Sequence, residues 1–161
     1  MARKLLGLSI AVLLLTAGTS IAVAQIVASA TGSGQFHTSG SLRTFTLNAN
    51  TDSSGNTTGQ TQGDNRAAGI KWHGSLNCLN VVGNVATMAG VVTDITPGLG
   101  DPFLVGNFIV FQVIDNGEGS NAPPDLISLT FFFPAGSPNP GCTGFGVFAT
   151  IPIEHGNVQV H

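Results

Sequence analysis

Clusters of turn-forming residues break this chain at short intervals: HTSGS near residue 40, TDSSGN near 55, Gly83-Asn84, TPGLGDP near 100 and PAGSPNPG near 140. No stretch between them carries a helical stripe of useful length, because Gly or Pro interrupts each candidate. What remains is of strand length, and consecutive strands joined by short turns pair antiparallel. The expectation is an all-β chain, a single antiparallel meander that closes into a small β-barrel or a two-sheet sandwich of about eight strands.

The strands differ in how much of them should be covered. In IKWHGSLNC, Ile70, Trp72, Leu76 and Cys78 alternate with Lys71, His73, Ser75 and Asn77, the period of a strand with one wet face. The same parity assigns Trp72 and Cys78 to the core. SLRTFTLNA repeats the pattern with Phe45, Leu47 and Ala49 against threonines. By contrast, FLVGNFIVFQVI (103–114) and LISLTFFF (126–133) are apolar on both parities, as in a strand covered on both faces. They read either as a central hairpin or as a pair whose outer face meets another chain, which makes self-association through the 103–133 hairpin one expectation for a partner. The closing GNVQVH, with Val158 and Val160 on one face, is expected to pair with GSGQFH near the start and so remove exposed edges.

The start of the chain reads as a leader. MARK is basic, LLGLSIAVLLL is too short to span a bilayer, and Ala22-Val23-Ala24 fits a small-x-small cleavage site. Residues 1–24 are therefore expected to be a signal peptide, 25–34 a loose segment and 35–161 a single β domain, secreted or at the cell surface, with no membrane insertion after cleavage. Removing the leader leaves Arg43, Arg66 and Lys71 against eight carboxylates, a net charge of −5. Without a basic stripe, nucleic acid and anionic lipid lack their usual electrostatic attraction.

Export and an even count invite a disulfide between the two cysteines, Cys78 and Cys142. A closed loop of this size stabilises by roughly 4 kcal/mol in the chain-entropy account. No second Cys or His sits at ligand spacing from either one, which leaves metal ligation and a reactive thiol without support. The blocks TGSGQF, Asn65-Arg66, LNCL with VVGN, DNGEG with APPD, and GNVQVH resemble a set of small secreted bacterial proteins that have no assigned activity. The resemblance spans nearly all of residues 25–161. It implies export, one β domain and a bacterial source, and it carries no chemistry.

One loop holds the chain's densest set of oxygen donors. In DNGEGSNAPPD, Asp115, Asn116, Glu118, Asn121 and Asp125 crowd into eleven residues, with glycines that let carbonyls turn inward as calcium requires. The spacing departs from the helix-loop-helix calcium pattern. A structural reading of the same residues is a turn, since Asn-Gly favours hairpins and Pro123-Pro124 stiffens the re-entry. Three neighbouring carboxylates then need either a cation or amide donors to offset their repulsion. A glycosidase-like hydrolase would use Asp115 and Asp125 as acid and base, but its sites want accessible aromatic platforms. G-x-S-x-G and H-E-x-x-H are both missing from the sequence. His73 reads as a surface residue; His37, His155 and His161 would meet only if the ends of the sheet do. The functional expectation is an exported, non-enzymatic β domain, a binding or surface-structural module with a calcium-stabilised loop at 115–125, and the hydrolase as the alternative.

Overall fold

The computed structural model describes residues 25–96, 104–119 and 121–161, so the expected leader lies outside the described residues. Among the described residues ten strands follow one another: β1 (Ile26–Thr38), β2 (Ser41–Asp52), β3 (Thr57–Asn65), β4 (Ile70–Val82), β5 (Val85–Ile95), β6 (Phe108–Ile114), β7 (Leu126–Ser128), β8 (Phe131–Phe133), β9 (Thr150–Pro152) and β10 (His155–Val160). They form one antiparallel sheet in the order β10-β1-β2-β3-β4-β5-β6-β7-β9, with β8 beside β7 on the same edge of β6. The meander curls into a half-barrel, the barrel-like outcome of the two expected.

Turn chemistry sets the register where it was legible. Ser39 and Gly40 join β1 to β2 with φ of 50° and 74°, the positive pair that a two-residue hairpin needs to match strand twist. Segment 25–34, expected to be loose, is ordered strand from Ile26 onward. It pairs with β2 on one side and, from Ala30, with β10 on the other. Gly32, Ala30 and Gly34 lie at small-residue positions where neighbouring backbones come close, so the segment has little apolar bulk of its own to signal a strand.

Side chains on the concave face make the main core: Phe45, Leu47, Ala49, Trp72, Leu76, Met88, Ile109, Phe111, Val113 and Val158 are among its buried members. Full burial of one such large side chain stabilises by about 1.5–3 kcal/mol. The other parity of β5 and β6 feeds a smaller cluster on the convex face, where Ala89, Val110 and Cys142 pack with Cys78, Phe133 and Phe148. This second layer explains why 108–114 is apolar on both parities: the chain's own 134–149 segment lies over it. Gln112, the one polar residue of that strand, is 1% exposed. Its Nε2 donates to Thr87 Oγ1 (2.9 Å) and the Gly146 carbonyl (2.8 Å), and its Oε1 accepts from the Phe148 amide (2.8 Å).

Cys78 and Cys142 are bridged, with Cα atoms 5.7 Å apart. The bridge lies on the convex face, whereas simple alternation assigned Cys78 to the core. The register shifts between Leu76, opposite Gly90, and Cys78, opposite Ala89. Asn77 is thus the extra residue of a β-bulge, which reverses parity along the rest of β4 and sends Leu79 and Val81 inward instead.

Candidate functional site

Two polar clusters interrupt this apolar frame, one at the seam of the half-barrel and one at its mouth. The seam arises because the two ends of the sheet order, β9 and β10, are joined by only Ile153 and Glu154. β10 pairs with β1 along one edge and leaves alternate amides on the other edge without a strand. The 115–125 loop fills that place with carboxylates. Val158 N donates to Asp125 Oδ2 (2.9 Å) and Val160 N to Asp115 Oδ2 (3.0 Å), two residues apart as the strand period demands.

The remaining oxygens are occupied from within the loop. Asp125 Oδ1 accepts from Asn116 N (2.8 Å), and Asp115 Oδ1 from Gly117 N (2.8 Å). Asn116 Nδ2 reaches the Pro124 carbonyl at 2.7 Å. Glu118 Oε1 accepts from Asn157 Nδ2 (2.7 Å) and Gln159 Nε2 (3.4 Å), again on β10. Asn121 is exposed and takes no part. Four of the five loop residues singled out from the sequence are thus brought together, and amides offset the charge of their carboxylates. Among the described residues no three of His, Cys, Asp and Glu converge as a metal-holding group. Asp125 is only 5% exposed, which leaves no open face for acid–base work on a sugar.

β1 and β10 do meet, yet the histidines at that junction separate. His155 stands opposite Gln35, while His161 bonds the backbone of Ser29 at the far end of β10. His37 Nδ1 pairs with Glu154 Oε2 at 2.8 Å. This contact, first through the side-chain hydrogen bond, holds the exposed Glu154 carboxyl below the usual range. Asp52 is held low by the Asn56 amide in the β2–β3 turn.

The mouth is built by the concave parity of β2 to β4 and by β8. Arg43 shares the parity of Phe45, Leu47 and Ala49, so it projects inward at the end of the half-barrel. It borders a cleft of about 100 Å³ whose walls include Phe36, Phe45, Trp72, Phe111 and Phe132. Trp72 meets Phe132 edge to face, with centroids 5.5 Å apart. Opposite the indole lies Gly63, where a Cβ would fall 2.5 Å from Trp72 Nε1, so glycine is what lets the ring lie against β3. The Arg43 Nε is buried and has no hydrogen-bond partner. The ion pair found among the described residues is His37–Glu154, so no described carboxylate answers this guanidinium within 4 Å.

This site was not singled out from the sequence, although a signal was present: an arginine falls in step with three core residues of SLRTFTLNA. No family model, curated protein or solved structure matches the chain.

Proposed function

We propose that the protein is an exported, non-enzymatic binding module whose ligand seats in the mouth of the half-barrel. The observation that carries this reading is the buried, partnerless Arg43 Nε beside an aromatic cleft. Buried polar groups in folded proteins are satisfied as a rule, and each exception calls for an account. A concave apolar pocket with one convergent polar group is the usual form of a small-molecule site. The seam carboxylates supply no competing site, because backbone and side-chain amides already engage them.

Amide chemical shifts followed during titration with a mixture of small apolar fragments test the proposal. Perturbations clustered on Arg43, Phe45, Asn65 and Trp72 support it. Perturbations confined to 115–125, or none anywhere, overturn it. A second reading, self-association, is favoured by one observation: Phe131, Phe145 and Val147 leave exposed apolar surface beside the convex cluster. Light scattering coupled to size exclusion tests it, and a clean monomer at high concentration removes it.

A further inference from the structure

The geometry points to a ligand class for the mouth: a small monocarboxylate with a short apolar body, its carboxylate taken by Arg43 and its tail laid against Trp72 and the phenylalanines. The inference rests on the mouth being a binding site, and it goes further by assigning charge, headgroup and size.

Charge comes first. A guanidinium brings a positive charge with it, and that of Arg43 is half-buried. Among the described residues no carboxylate pairs with it. Asp64 also borders the cleft. On β3, however, it alternates with the inward positions Thr61, Gly63 and Asn65, and no ion pair joins it to Arg43. An anion entering the mouth therefore supplies the missing counter-charge.

The headgroup follows from the shape of the donor. Nε–H and the adjacent Nη–H of arginine form one side of a planar fork that matches the two oxygens of a carboxylate. Nε is sealed from solvent, so a group inside the cleft meets the guanidinium through its Nη–H pair, which is likewise planar and bidentate. Inorganic anions match the charge, but they leave the rings of Phe36, Phe45, Trp72 and Phe132 with nothing to contact.

Size is set by the cleft. About 100 Å³ of space seats a headgroup with a few carbons. Short-chain fatty acids meet all three conditions.

Trp72 is the only tryptophan in the chain, so intrinsic fluorescence reports on the mouth alone. The experiment titrates the mature, oxidised protein with sodium hexanoate and, in parallel, with 1-hexanol, each against a sodium chloride control. Hexanoate is expected to saturate and to bind about tenfold or more tightly than the alcohol, the worth of a charge-assisted hydrogen bond. Arg43→Met should bring hexanoate down to the alcohol's affinity and leave the alcohol unchanged, while Arg43→Lys retains part of the preference. A thermal melt of each variant shows that it is folded. Equal affinity for acid and alcohol in the wild type overturns the carboxylate assignment while leaving the mouth as a site. No saturation by either compound, with no shift of the Trp72 indole proton, overturns both.

Discussion

Charged side chains enter the half-barrel at the seam and at the mouth, and the two places are finished differently. At the seam each aspartate oxygen meets a backbone amide, and Glu118 meets two side-chain amides of β10. At the mouth a buried Nε–H meets nothing. The seam is complete within the fold; at the mouth a buried donor is left without a partner among the described residues. Residue type alone would have ranked the two the other way round, since five oxygen donors in one loop look more like a site than a single arginine.

Breaking the seam should cost the most. Asp125→Ala strips acceptors from the amides of Asn116 and Val158 in a nearly dry position, and it should lower unfolding free energy by about 3 kcal/mol in urea denaturation. A loss under about 1 kcal/mol would mean that water replaces the carboxylate and that the seam is loose. Gln112 extends the comparison to a third buried polar group, one that is fully satisfied. Gln112→Met should cost about 2 kcal/mol and unfasten segment 134–149, seen as faster amide exchange at Phe148. Unchanged exchange there would assign the fastening to the disulfide alone.

Much of this frame was legible from residue order. Alternation placed Trp72 and Phe45 in the core, turn residues marked the hairpins, and GNVQVH pairs with the TGSGQF strand as its pattern predicts. Three features lacked a local signal. The parity reversal at Asn77 depends on which residues of β5 stand opposite. Segment 134–149 covers β6 without a period of its own, so the outer cover of that strand had no owner in the sequence. One donor to each of Asp115 and Asp125 comes from a strand more than thirty residues away, which left a metal ion as the nearest explanation for a crowded acidic loop. Arg43 differs from these: its parity was readable, and the threonines beside it drew the eye to the wet face instead.

Smaller effects sharpen the contrast. Because the seam oxygens already have donors, calcium added after EDTA should leave the melting temperature where it was, since a ligand stabilises only what it binds. A saturable rise, abolished by Asp115→Asn and Glu118→Gln, would turn the seam into a metal site. The smallest effect is that of pH. Glu154 is held below its ordinary value of 4.5 by His37, so its contribution is present above that value and lost as pH falls through the lower folded one. Asp52 acts in the same direction from 3.8 downward. Glu154 is exposed and Asp52 only half-buried, so the difference between wild type and Glu154→Gln should be slight, should vanish in strong acid, and should shrink with salt. A difference that grows toward acid would reverse the assignment.

The most direct measurement compares the urea midpoints of ligand-free wild type and Arg43→Met. If the mouth is unfinished, removing a half-buried charge whose buried Nε has no partner leaves the midpoint equal or higher. A loss of about 2 kcal/mol or more would mean that Arg43 is held by the fold as firmly as Asp125, and the distinction between seam and mouth would be lost.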